Sequence, residues 1–425
     1  MKTLALLIFL AVYIGIAWGK IHRSILAIIG AILMIFLKIL PQEKAFTYVD
    51  WNVIFLLVGM MIIVNVLGKT GALQYIAIKS AKIARGEPVK IMLFLTLITA
   101  LFSAFLDNVT TIIIMAPITI LIAVELGISP LPFLISEVLA SNIGGTATLI
   151  GDPPNIMIGS AAGLGFLTFL YNLAPWVGFL VLILLPIMWL CFRHRIKVSN
   201  ERKARIMEFD EREAIQDEGL LKKVLLIFSL VVIGFFLQEP FNIEVATIAL
   251  GGAFLLLLVA RESPLEVFQE IEWSTIFFFI GFFILVGGLE EVGIIEKMAE
   301  KLILFTRGNF TLTALTILWG AGSISAVLDN IPTVATLIPI ISRLEVGFSF
   351  PATALWWSLA LGACLGGNGT LTGAAANVVV ADISERNGYP LSFREFTRYG
   401  LWITLLNLLL SSLYVWLRYL VGHGA

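Results

Sequence analysis

The sequence predicts an all-α polytopic membrane protein made of two inverted repeats, and three observations predict it. The first is composition, with 59% hydrophobic residues, 13% charged residues and a mean hydropathy of +0.99. A soluble domain of that make-up would lack the polar surface to cover itself, so the chain belongs in a bilayer. The second is an internal repeat: residues 51–155 return at 273–377 without a gap, every match 222 positions downstream. Trp51 returns as Trp273, Gly59 as Gly281, Gly71 as Gly293 and Pro117 as Pro339. The third is the kind of residue that recurs. Between the anchors the chain is mostly apolar filler, whereas Asp, Asn, Thr and Gly are held, and polar residues inside hydrocarbon are costly enough to mark a site.

Apolar segments lie near 3–18, 24–40, 51–68, 131–160 and 166–192, with a pair at 91–106 and 109–126, and the second half offers the same set. Each long segment has roughly the 17 to 25 residues that cross about 30 Å of hydrocarbon as a helix. The paired arms are shorter and meet at Asp107-Asn108 and at Asp329-Asn330. Each pair is therefore expected to form a re-entrant hairpin with its polar tip buried in protein. Residues 71–86 and 290–306 mix charges with apolar residues and fit interfacial amphipathic helices. The run from Met1 to Ala17 resembles a signal peptide, but its counterpart, Val224 to Gln238, is internal, so it is expected to be a retained span. Five spans per half is an odd number, which places the repeats in opposite orientations. The expected domains are repeat 1 over 1–192, a charged connector over 193–223 and repeat 2 over 224–425.

Of the 28 Lys and Arg residues, 20 fall on one face along that path, including the run from Arg193 to Lys223. The positive-inside rule makes that face cytoplasmic, with both termini outside, the connector cytoplasmic, the first hairpin entered from the cytoplasm and the second from outside, in the cell membrane. The connector is dense in both signs and reads as a solvated link rather than a regulatory element. A net charge of −1 gives no reason to expect nucleic acid. Two cysteines, Cys191 and Cys364, lie in separate apolar segments and argue against a disulfide framework. His22, His194 and His423 lack the spacing of a zinc site.

Two polar elements recur. Ser103-Ala-Phe-Leu-Asp107-Asn108 returns as Ser325-Ala-Val-Leu-Asp329-Asn330. Asn108 or Asn330 at a tip can cap the returning arm and aim its N–H groups into the protein. Thr110, Thr111 and Thr333 add hydroxyls, while Pro332 replaces the first threonine in the second copy. Alternatively these hydroxyls, with Ser103 and Ser325, bond only their own helix carbonyls. Asp107 and Asp329 are harder to set aside, because a lone carboxylate in a dry interior costs several kcal/mol and neither motif contains a Lys or Arg. A proton or a metal cation is the expected compensation, with sodium at Asp107, Asn108, Asp329 and Asn330 as the metal reading; the bland alternative is a carboxylate that only caps the tip. The second element holds Asn142, Gly144, Gly145, Thr146, Thr148, Asp152 and Asn155, matched by Gly366, Gly367, Asn368, Thr370, Thr372 and Asn377. Glycine pairs and Pro153-Pro154 break a helix, and a broken span frees backbone groups that Asn and Thr side chains can complete into an ion shell. Asp152 before Pro153 is either an N-cap or a functional group, and Ala374 stands opposite it. The two half-sites are thus chemically unequal.

These motifs, Ser-Ala-Phe-Leu-Asp-Asn-Val-Thr-Thr, Ile-Gly-Asp-Pro-Pro-Asn, Asp-Asn-Ile-Pro and Leu-Gly-Gly-Asn-Gly-Thr-Leu, resemble those of the ion transporter superfamily, over nearly the whole chain. The nearest likeness is to P protein (pink-eyed dilution) type permeases, beside ArsB-type arsenite pumps and NhaD-type sodium/proton antiporters, with citrate and dicarboxylate carriers more distant. The resemblance implies a dimerising scaffold and a transport domain of hairpins and broken helices that moves as an elevator. It implies site positions at Asp107, Asn108, Asn142, Thr146, Asp152, Asn155, Asp329, Asn330, Asn368, Thr370 and Asn377. It also implies a homodimer in the lipid bilayer, a small inorganic ion as substrate, no cofactor beyond a coupling proton or sodium ion, and no enzyme activity. The Asn-Thr signatures that hold sodium in dicarboxylate carriers are replaced by Asp-Asn at both tips, which favours cation/proton antiport or export of neutral arsenite over an organic dianion. An anion (chloride) channel or transporter on the same fold, or a dicarboxylate or citrate carrier, are the further alternatives. An intramembrane aspartyl protease is disfavoured by the absence of its Gly-x-Gly-Asp signature.

Overall fold

The computed structural model describes residues 1–345 and 353–421, and among them every regular element is helical. The first half runs α1 (Lys2–Trp18), α2 (Arg23–Phe36), α3 (Gln42–Ala45), α4 (Trp51–Lys69), α5 (Ala72–Ile83), α6 (Pro88–Ser103), α7 (Asn108–Leu126), α8 (Leu131–Gly145), α9 (Pro153–Ala162) and α10 (Phe166–Phe192). After α11 (Asn200–Glu208) come α12 (Glu218–Phe241), α13 (Val245–Ala260), α14 (Pro264–Gln269), α15 (Trp273–Glu291), α16 (Ile294–Phe305), α17 (Phe310–Val327), α18 (Asn330–Glu345), α19 (Thr353–Gly366), α20 (Ala375–Arg386) and α21 (Phe393–Val415). From α2 to α9, each helix begins 222 positions before its counterpart.

The repeated residues explain the repeated starts. α5 and α16 begin after Gly71 and Gly293, whose φ angles of 74° and 70° are open to glycine and strained for other residues. Pro88 opens α6 and Pro153-Pro154 opens α9, at positions where a missing N–H costs nothing. Seven helices are long and apolar enough to cross a membrane, by length and composition, among the described residues. Two hairpin arms, Asn108–Leu126 and Phe310–Val327, are in that set. The expectation that the arms are shorter than the spans is therefore corrected: α7 has 19 residues, as α4 does, because Pro117 sits within α7 without ending it.

The halves pack by exchange. α4 of the first lies on α13 of the second, and α15 of the second lies on α2 of the first. Both crossings are glycine crossings: a Cβ at Gly59 would meet the Ala249 backbone at 2.7 Å, and one at Gly281 would meet the Ala27 backbone at 2.7 Å. Removing the side chain is what lets two apolar helices gain close backbone contact where no water drives them together. The hairpins and broken helices exchange likewise, α9 against α18 and α20 against α7. α1 packs on α2 and α15. The segment 193–223 is less free than a solvated link. Ile206 is buried, Lys203 Nζ lies 2.6 Å from Glu87 Oε2, and Lys82 Nζ donates to Glu211 Oε2 at 2.5 Å and to the Phe209 carbonyl at 2.9 Å.

Candidate functional site

The two breaks are built alike. α8 ends at Gly145 and α9 starts at Pro153; α19 ends at Gly366 and α20 starts at Ala375. Asn155 Nδ2 donates to the carbonyls of Thr146 at 3.2 Å and Thr148 at 2.8 Å, and Asn377 Nδ2 donates to those of Gly367 at 2.8 Å and Thr370 at 2.9 Å. Carbonyls expected to be free at a break are thus clasped by the asparagine that follows it, as a buried backbone acceptor requires. Ser103 Oγ reaches the Ser141 carbonyl at 2.7 Å, and Ser325 Oγ the Ala363 carbonyl at 2.6 Å. Thr148 and Thr370 donate to the Ala104 and Ala326 carbonyls and so tie each break to its hairpin. These hydroxyls bond neighbouring helices rather than their own. Thr333, by contrast, bonds the Asp329 carbonyl one turn back, and Thr111 Oγ1 is buried without a partner.

The halves meet through asparagines. Asn108 Nδ2 donates to Asn142 Oδ1 at 3.1 Å, and Asn142 Nδ2 donates to Asn368 Oδ1 and Asn377 Oδ1, each at 2.8 Å. Cys364, which stands where Asn142 does in the other half, donates its thiol to Asn155 Oδ1 at 3.5 Å. A Cβ at Gly144 would strike the Ala100 backbone of the hairpin arm α6, and one at Gly145 would strike the Gly151 backbone within the break. Thr146 bonds the Asn142 carbonyl, whereas Thr370 and Thr372 lie 3.1 Å apart at a more open edge.

The aspartates differ. Asp107 is the N-cap of α7, so the capping role expected of Asn108 belongs to its neighbour; the Asp107 carboxylate accepts the Thr110 N–H at 2.9 Å and the Thr110 hydroxyl. The reason is register: the residue before the first helical one has the extended backbone that aims its side chain at the third N–H. Asp329 accepts the Ile331 N–H at 3.3 Å and is ion-paired to Arg23, from the start of α2. Asp152 occupies the N-cap position of α9 but makes no capping bond. Its carboxylate is fully buried and accepts Asn330 Nδ2 at 3.2 and 3.1 Å, across the two halves.

Asp107, Asn108, Asp152 and Asn330 line one small cavity together with Arg23, Glu272 and Thr275. The cavity holds about 20 Å³, room for about one water molecule or one bare ion. Arg23 opens α2, Glu272 immediately precedes α15 and Thr275 lies in its first turn; all three stand outside the two motifs and outside the expected site residues. Glu272 Oε2 accepts the Thr275 hydroxyl at 3.1 Å, and Arg23 leans over the Phe278 ring. Tyr13 also touches the second hairpin, its hydroxyl donating to the Pro332 carbonyl at 2.9 Å. The signal that could have found Arg23 is its place at the head of an apolar segment, where it becomes the first residue of α2. Among the described residues, no three His, Cys, Asp or Glu side chains are grouped to hold a metal ion.

Residues 13–362 match the family model described as citrate transporter, CitMHS. An uncharacterized transporter of Mycobacterium tuberculosis is 44% identical over 427 residues, covering 99% of each chain. The P protein of Sus scrofa is 31% identical over 99% of this chain, which spans 59% of that longer protein. The crystal structure of the YdaH transporter of Alcanivorax borkumensis superposes with a TM-score of 0.58 at 12% identity, covering 89% of this chain and 87% of the other, a likeness of fold alone.

Proposed function

The chain belongs to the citrate transporter (CitMHS) family, and from that premise we propose that this membrane transporter is a secondary carrier exchanging a small inorganic cation for protons. The observation that carries this reading is the charge around the cavity. Asp107, Asp152 and Glu272 line it and Asp329 adjoins it, against the single guanidinium of Arg23. An organic dianion would meet more like charge than opposite charge there, and would not fit a space of about 20 Å³. A bare cation fits both the size and the sign, and carboxylates that trade a proton for it couple the two fluxes.

In this reading Arg23 is a tethered competitor. It neutralises Asp329 until that hairpin moves, so a cation binds the tips only when the ion pair opens. The helices that cross at Gly59 and Gly281 form the fixed frame of a homodimer, and the hairpins with the broken helices travel past them, with the repeats inverted in the membrane. A cross-link between Val109 and Ile331, both on the cavity wall, should spare transport, and one tying a tip to the region of Gly59 should stop it.

A second reading, a carboxylate anion bound by Arg23 while Asp329 is protonated, is favoured by the presence of that guanidinium beside the cavity and by the family's description. Flux into proteoliposomes under an imposed pH gradient, with sodium, lithium, arsenite, chloride and citrate in turn, decides among these. Sodium or lithium flux that dissipates the gradient supports the exchange reading. Saturable citrate flux with no cation flux replaces it with the second, and uncoupled, non-saturating chloride flux would make the protein a channel.

A further inference from the structure

Glu137 lies in the middle of α8, fully buried, and belongs to neither recurring motif. Its Oε1 accepts the Thr119 hydroxyl from α7 at 2.7 Å, and its Oε2 has no partner. α8 packs against α6, α7, α10, α19 and α20. The ionisable side chains on those helices are Lys90 and Glu125 near helix ends, Tyr171 and Cys191 on α10, Cys364 on α19, and Asp382, Glu385 and Arg386 on α20. None of them forms an ion pair with Glu137; Arg386 is taken by Asp382 at 2.9 Å. The counterpart position in the second half is Leu359, so the fold of this element does not require a carboxyl there.

A carboxylate with one open oxygen in such surroundings is costly, whereas a carboxylic acid there can turn its O–H only to the Thr119 hydroxyl oxygen. In either form one carboxyl oxygen is left without a protein partner, and no cation is paired with Glu137. Its place on α8 supplies the connection. One turn along the helix, about 6 Å, is Ser141, whose hydroxyl donates to the Asn108 carbonyl at the first hairpin tip. On α7, Thr119 and the partnerless Thr111 lie on one face, two turns apart, leading to the same tip.

We propose that Glu137 is a proton-binding site of the carrier, taking up and releasing a proton by way of the first hairpin tip. The carboxylate gains one proton at Oε2 and returns it, with no other bond made or broken. The proposal deepens the proton-exchange reading, and its test is independent of cargo.

The test is infrared difference spectroscopy of the full chain in liposomes as the pH is stepped from acid to alkaline, with and without carboxyl-13C glutamate. Subtracting the spectra of Glu137→Gln from those of the wild type should leave one carboxylic-acid carbonyl band that disappears with alkali and moves on glutamate labelling. If Glu137→Gln does not fold, judged by its thermal midpoint, Glu137→Asp serves: the same band should persist but cease to respond to labelled glutamate. A glutamate band that stays constant across the range makes Glu137 a fixed neutral acid and overturns the proposal. So does a difference spectrum with no such band. A titrating band together with proteoliposome flux that carries no protons would uphold the Glu137 site while sinking the exchange reading.

Discussion

The two hairpin tips carry the same Asp-Asn pair and solve its electrostatic problem in opposite ways. At the first tip Asp107 turns inward on its own chain, binding the first turn of α7 through Thr110. At the second, Pro332 stands where the equivalent threonine would be, and Asp329 turns outward to a guanidinium from α2. Asn108 then bonds within its half, to Asn142, while Asn330 bonds across the halves, to Asp152. One difference, proline in place of threonine, removes the local hydroxyl donor and leaves the second carboxylate to a long-range partner. A repeated backbone thus holds two carboxylates in different surroundings, one capping its own helix and one paired with a guanidinium.

The comparison is sharpened most by removing each charge in turn. Asp107→Asn should abolish coupled transport and leave the thermal midpoint unchanged or raised, because no cation is stranded. Asp329→Asn should also abolish transport but lower stability, by about 2 kcal/mol, since Arg23 is left unpaired; the figure is below the ~3–5 kcal/mol of a fully buried pair because the Arg23 side chain is 22% exposed. Equal thermal shifts in the two variants would erase the difference between the tips. The double variant Arg23→Met with Asp329→Asn should recover most of that loss, and thermal unfolding across the four-protein cycle measures the coupling.

Where the halves are alike, paired variants should behave alike. Gly59→Ala and Gly281→Ala each drive a Cβ into an opposing backbone, costing about 1–3 kcal/mol apiece by thermal unfolding. A large disparity would show that one crossing yields and the other does not. Asn155→Ala and Asn377→Ala each strip buried carbonyls of a donor at a break, about 1–3 kcal/mol in either half. The smallest effect is expected at the connector, where the Lys82 hydrogen bond holds the Glu211 carboxyl below its ordinary value. A depressed carboxyl contributes its clasp above the ordinary glutamate range and loses it as the pH falls through the lowered value. Amide exchange around Phe209 should therefore quicken only on strong acidification, and Glu211→Gln should remove that dependence.

Much of this was legible in the residues. The offset of the repeat anticipates where eight helices start, and Pro153 after Asp152 anticipates the break, because caps and helix starts depend on neighbours in sequence. The two-fold exchange of packing was not legible, nor was the ion pair of Arg23 with Asp329, whose members lie 306 positions apart. For the same reason the cap position suggested by Asp152 misleads about its side chain: the backbone obeys the local rule while the carboxylate answers to Asn330 from the other half. Local chemistry predicts where helices begin. What their polar groups bind is decided by which helix arrives later.

That order of arrival has a consequence for biosynthesis. Gly59 on α4 and Ala27 on α2 face helices that a ribosome makes only after the connector has emerged. The first half therefore enters the membrane with its two close crossings unmade and the Asn142 amide without its partners Asn368 and Asn377. Contacts of this sequence separation form slowly, so a chain stopped at the connector should persist as a loosely held, protease-sensitive set of helices. The clasp between the connector and the first half, through Lys203 and Glu87, would shield part of that waiting surface during synthesis.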